Sequence, residues 1–184
     1  SSDLPIYGVK GEENEFIDFL SPDWVNMLSV SLEAAGKYKM GVDMNTGTGW
    51  PFGGPHITAE HAAKTLVFYS FENPTRDFIE AFIQKFDALN EETLLALSGE
   101  RESGQRVNML QQRSSLIQLD LGNWIVYAAS EINTMQKVKR AAPGGEGLVF
   151  NHFSLDATQQ YLDRFDAALN GDNHGIRSFF NDSY

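Results

Sequence analysis

Residues 39–55 read KMGVDMNTGTGWPFGGP. The first six, Lys39–Met44, have the pattern of a short buried strand. That strand ends in a polar cluster, Asp43 and Asn45, which the two-residue alternation of a strand puts on one face. A loop follows with four glycines, two prolines, Trp50 and Phe52. Glycine admits close backbone approach to a ligand, or a turn with positive φ. Proline fixes the path of the chain. An acid, an amide and an aromatic at the end of one strand make a sugar-binding lip. The alternative is a rigid structural turn in which Trp50 caps the core.

The flanking sequence sets this stretch among helices. Pro5–Val9 reads as a short strand. Ser21-Pro22 is a helix start, a hydroxyl cap before a proline at the first helical position. Trp24, Leu28, Leu32 and Ala35 recur at helical spacing, and Gly36 is the expected stop. Strand, helix and strand in this order predict a parallel βαβ unit. Downstream, Thr58 can cap a short helix over Ala59–Lys64. Leu66–Phe71 reads as a strand, and Phe78, Phe82, Ile83, Phe86 and Leu89 as a helix face.

Residues 93–140 change to strand-like patterning. LLALSGERESGQRVNML, LIQLDL and NWIVYAAS are short apolar runs joined by polar turns. A second Gly/Pro loop, AAPGGEG, occupies 141–147. Ser154 caps a helix with apolar positions Ala157, Tyr161, Phe165 and Leu169, and Asn170-Gly171 ends it. Ile176–Phe180 is a further buried strand with Asn181 and Asp182 at its C-terminal end.

The expected fold class is therefore α/β, a partial (β/α)8-barrel segment of parallel βα units with an inserted antiparallel β subdomain. Residues 1–92 would hold the βα units of an incomplete barrel, 93–140 the β-rich insertion, and 141–184 the return βα unit ending in a barrel strand. A closed barrel takes about 250 residues, more than the 184 present.

Composition narrows the partners. With 25 acidic against 14 basic residues the net charge is −11, which disfavours nucleic acid and anionic lipid surfaces. The chain has no cysteine, so disulfides, thiol chemistry and zinc ribbons are excluded. No apolar run approaches the ~20 residues of a membrane span. The chain begins SSDLPIYGV without an initiator Met and stops at Tyr184, which reads as a piece of a longer protein. It lacks a GxSxG elbow, a GxxxxGK[ST] phosphate loop and an HExxH zinc motif.

Glycosidases need two carboxyl groups at the scissile bond, and in barrels these sit at the C-terminal ends of strands. Asp43 and Asp182 occupy such ends. Each is equally readable as a strand-end acid that caps the following turn. Glu146 is either a loop carboxylate reaching a sugar site or an exposed charge paired with Arg140. His152 is either a hydrogen-bond partner for a sugar hydroxyl or a structural link between strand and helix.

Three motifs, GVDMNTGTGWPFGGP, VKRAAPGGEGLVFNHFS at 138–154 and IRSFFNDSY at 176–184, occur in this order. Together they resemble the α-L-rhamnosidases of glycoside hydrolase family 106. The resemblance implies an exported, secreted or periplasmic hydrolase acting on rhamnose-containing carbohydrate. It implies substrate-binding roles for Asp43, Asn45, Trp50, His152, Asn181 and Asp182, and a catalytic glutamate just beyond Tyr184. It also implies calcium, for which Asp43, Asn45, Asn181 and Asp182 offer oxygen ligands. The alternative from another class is a carbohydrate-binding or interaction module without catalysis.

Overall fold

The structure is a computed structural model and describes residues 11–88 and 92–180. In chain order its elements are α1 (Pro22–Lys37), β1 (Asp43–Asn45), β2 (Gly53–Gly54), β3 (Lys64–Glu72), α2 (Arg76–Ala88), β4 (Glu92–Glu100), β5 (Arg106–Asn108), β6 (Ile125–Asn133), β7 (Leu148–Val149), α3 (Leu155–Leu169) and β8 (Ser178–Phe180). A 3-10 helix spans Arg113–Leu121. The chain forms two compact units, Ser1–Ala63 with Met135–Tyr184, and Lys64–Thr134.

In the first unit both long helices start as the sequence predicts. The Ser21 hydroxyl accepts from the Trp24 amide at 3.2 Å with Pro22 opening α1. The Ser154 hydroxyl does the same for Ala157 at 3.2 Å, and Asn170 ends α3 in the left-handed conformation. The α3 stripe Ala157, Tyr161, Phe165 and Leu169 is fully buried. It packs with Phe19, Met44, Phe52, Phe150 and Ile176 into one apolar core. Trp24, Val25, Leu28 and Leu32 of α1 lie partly buried against that core.

The second unit is a four-stranded antiparallel sheet in the order β3-β6-β4-β5. Helix α2 covers one face with Ile79 and Ile83, and Phe82 beside them, against Leu97, Met109, Trp124, Val126 and Ala128. Phe82 meets Tyr69, Phe71 and Phe86 in edge-to-face contacts with centroids 4.9–5.2 Å apart, a geometry that favours aromatic pairs beyond simple burial. Fully buried Ser130 donates to the Glu92 carboxylate at 2.5 Å, and the Tyr69 hydroxyl donates to the same oxygen at 3.0 Å. The polar group inside the sheet layer is thereby satisfied.

The barrel expectation is overturned. Among the described residues the one parallel pairing is β1 with β8, three residues each, and the remaining sheets are antiparallel. The strand–helix–strand order β3-α2-β4 does exist, and the two strands run the same way. However, β6 inserts between them and pairs antiparallel with both, so they never become neighbours in a parallel sheet. The alternating exposure along β3 belongs to a sheet covered on one face, which antiparallel sheets permit and barrel strands do not.

Two local expectations also change. LIQLDL is not a strand but lies in the 3-10 helix, where Leu116 and Leu119 bury together; three-residue spacing aligns them on one side of that helix. Thr58 opens a turn instead of a helix, its hydroxyl within 3.2 Å of His61 Nδ1. Pro5–Val9, Asn181 and Asp182 lie outside the described residues. Among those described, no helix is long and apolar enough to cross a membrane.

Candidate functional site

Alternation along β1 decides which side chains reach the surface. Met44 points into the core while Asp43 and Asn45 stay exposed. The pairing with β8 places Asp43 opposite Ser178 and Asn45 opposite Phe180, so the C-terminal ends of 39–45 and 178–180 lie side by side. The loop then divides its aromatics. Phe52 enters the core, and Trp50 remains 41% exposed.

Trp50 is held by backbone. Its N–H donates to the Lys139 carbonyl at 3.2 Å, and the Lys139 N–H donates back at 3.2 Å. Directly opposed residues in an antiparallel bridge present side chains to the same side, so Lys139 stands beside Trp50. Close approach is what the glycines supply here. A Cβ on Gly49 would lie 2.2 Å from the Lys139 carbonyl oxygen, and one on Gly53 would lie 2.0 Å from that of Leu148. None of the four loop glycines has positive φ; what Gly49 and Gly53 admit is a second backbone strand, while Gly47 and Gly54 lie against the side chains of Phe52 and of Arg164 and His56.

These elements enclose a cleft of about 740 Å³, within the range of small-molecule sites. Its apolar floor is Phe19, Trp24, Leu28 and Phe52, and its polar rim is Asp43, Asn45, Thr48, Lys139 and Arg140, with Trp50 between them. The floor is fixed by edge-to-face contact of Phe19 with Trp24 at 5.0 Å. The Phe19 N–H bonds the Pro143 carbonyl at 2.8 Å, which ties the floor to the AAPGGEG loop. Arg164 reinforces that tie by donating to the carbonyls of Gly144 at 2.8 Å and Phe19 at 3.2 Å.

Asp43 is the single carboxylate among the described residues lining the cleft. Arg177 grips it in a two-bond fork, Nε to Oδ1 at 2.8 Å and a second nitrogen to Oδ2. Those bonds, with a further one from Ser178, hold its pKa down at about 2. Asp43 is thus an anion throughout the physiological range. The sign follows from the depressed value: this pairing favours the folded state above the ordinary carboxylate pKa and fades as pH falls toward 2. Arg177→Ala should return the Asp43 pKa toward the ordinary ~4. A carbon-detected NMR titration of the Asp43 carboxyl checks this, and an unmoved midpoint would contradict the fork.

Neither His152 nor Glu146 lines the cleft. His152 sits in the turn between β7 and α3, its ring 4.0 Å from that of Phe150, and burial lowers its pKa below the ordinary histidine value. Glu146 is exposed and does not line the cleft. Of the calcium donors that the resemblance implies, Asn181 and Asp182 lie outside the described residues. Both Asp43 oxygens face a guanidinium where a cation would need them, and no group of three or more His, Asp or Glu able to hold a metal occurs among the described residues.

Sequence reasoning missed Arg177 and the inward role of Phe19 and Trp24. Arg177 stands in the IRSFFNDSY motif, but only the β1–β8 register brings it to Asp43, 134 positions away. Lys139 and Arg140 were visible only as neighbours of the second Gly/Pro loop. No protein-family model, curated protein or solved structure matches the chain. The likeness to family 106 therefore rests on the three quoted motifs.

Proposed function

We propose that this cleft binds a saccharide, with L-rhamnose the ring that the family 106 resemblance implies. The observation that carries the reading is the half-exposed Trp50 on a backbone-locked loop beside Asp43 and Asn45, above an apolar floor. A sugar presents one C–H face and a rim of hydroxyls. The C–H face stacks on the indole. The ionised Asp43 can accept hydrogen bonds from hydroxyls at the lone pairs that Arg177 leaves open, Asn45 both donates and accepts, and Lys139 and Arg140 donate.

Calorimetric titration with L-rhamnose and methyl α-L-rhamnoside tests this. Saturable binding is expected, weakened about tenfold by Trp50→Ala, since an aromatic face contributes on the order of 1 kcal/mol beyond area burial. Because the indole is 41% exposed, the same change should cost less stability than the ~3–5 kcal/mol of truncating a fully buried aromatic. No heat of binding with either ligand at millimolar concentration would sink the proposal.

A second reading, hydrolysis of α-L-rhamnosides, is supported by the three motifs. Its general acid must hold a proton at working pH, and Asp43 does not. Asp43 fits only the base or nucleophile of such a pair, and the described residues lining the cleft supply no second carboxyl group. We expect the 184-residue chain to release no nitrophenol from an aryl α-L-rhamnoside; turnover that co-purifies with it would reverse the order of the two readings.

A further inference from the structure

We infer that the free edge of β3 is a self-association surface, on which a second copy of this chain pairs its own β3 antiparallel about a two-fold axis at Phe68. Strand β3 is nine residues long and forms one edge of its sheet, with β6 on its other side. An edge strand turns every second N–H and C=O outward, and proteins commonly blunt such edges with proline, bulges or short length. Strand β3 has no proline, no bulge and is not short, the one irregularity in the sheet lying between Leu94 and Ala96 of β4; its charged residues, Lys64 and Glu72, stand only at its ends. Instead β3 exposes Leu66 at 51% and Phe68 at 73% on one face.

The sequence KTLVFYSFE is complementary to itself in one register. Pairing all nine residues antiparallel requires Phe68 to face its own copy. Leu66 then faces Ser70, and Lys64 faces Glu72 at each end. Lys64 and Glu72 are both exposed. Lys64 already bonds Glu131 of its own chain at 2.8 Å, so its ammonium would bridge two carboxylates at each end of the paired strands. Opposite charges and aromatic pairs directly across strands are the stabilising cross-strand combinations. The contact is isologous, so it closes at a dimer, and the two four-stranded sheets become one of eight strands.

Sedimentation velocity on the full 184-residue chain tests this. A concentration-dependent dimer is expected. Lys64→Glu and Glu72→Lys, each alone, put like charges at both ends and should weaken the dimer about tenfold or more. Mixing the two variants should restore association, because the acid introduced at position 64 then faces the lysine introduced at position 72. In the unsubstituted chain, the outward amides of Lys64–Glu72 should gain hydrogen-exchange protection as concentration rises. A chain that stays monomeric at millimolar concentration, single reversals without effect, a mixture no better than its parts, or unchanged protection overturns the inference.

Discussion

Gly49→Val is expected to abolish saccharide binding and to destabilise the first unit together. The glycine stands where the Trp50 loop passes the 137–141 segment at backbone distance. A Cβ there would meet the Lys139 carbonyl oxygen at 2.2 Å and Val138 Cγ1 at 2.9 Å. The first of these is a backbone atom and cannot rotate aside. Two strands must therefore part, and the reciprocal Trp50–Lys139 hydrogen bonds go with them. Overpacking of this kind costs ~1–3 kcal/mol, and each backbone bond lost adds about 1 kcal/mol. Trp50 and Lys139 would then no longer stand side by side over the floor. Urea unfolding and rhamnoside titration on the same variant separate the two consequences. A stable variant that still binds would mean that the loop does not need its glycine for close approach. Gly36→Ala is the matched control, because no atom lies within 4 Å of the added methyl and a helical alanine is favoured over glycine.

Local rules made part of this molecule legible, and long-range pairing made the rest illegible. Caps at Ser21 and Ser154, the stop at Asn170 and the stripe Ala157-Tyr161-Phe165-Leu169 depend on residues within a few positions of one another. Each is present as the pattern implies. The sharing of a face by Asp43 and Asn45 is equally local. What failed was partner choice. The strand at 66–71 and the helix after it read as a barrel βα unit, but that strand pairs antiparallel with 125–133, and nothing within 64–88 says so. The loop glycines were ambiguous for a similar reason. Space for a ligand and space for a backbone look alike until the register of Trp50 with Lys139 is known. Arg177 was silent because a cation next to an apolar run has no local signature; its role depends on β8 lying beside β1.

Trp124→Ala is expected to have the largest single effect on the stability of the second unit. Trp124 is 1% exposed and stands at the entrance to β6, the strand that holds β3 and β4 together. Its ring packs among Ile79, Leu97, Met109 and Val126. The Arg101 guanidinium lies 4.5 Å from the ring centroid, a cation–π contact strengthened by desolvation. The Trp124 backbone is committed as well, donating to Asn73 Oδ1 at 3.1 Å and accepting from the Asn73 amide at 2.8 Å. Alanine would keep that backbone clamp and lose the ring. Gly99 limits how far the cavity can close. Its Cα already lies against the site, since a Cβ there would touch Met109 at 2.3 Å and Trp124 at 3.0 Å. The expected loss is therefore in the upper range for aromatic truncation, ~3–5 kcal/mol, a large part of the ~5–15 kcal/mol that holds a typical domain. Hydrogen exchange at the β6 amides Val126–Ser130 under increasing urea measures it for this unit alone. A loss below about 1 kcal/mol, the ordinary cost of an average substitution, would mean that the sheet and α2 are held by the Phe71–Phe82–Phe86 rings without the indole.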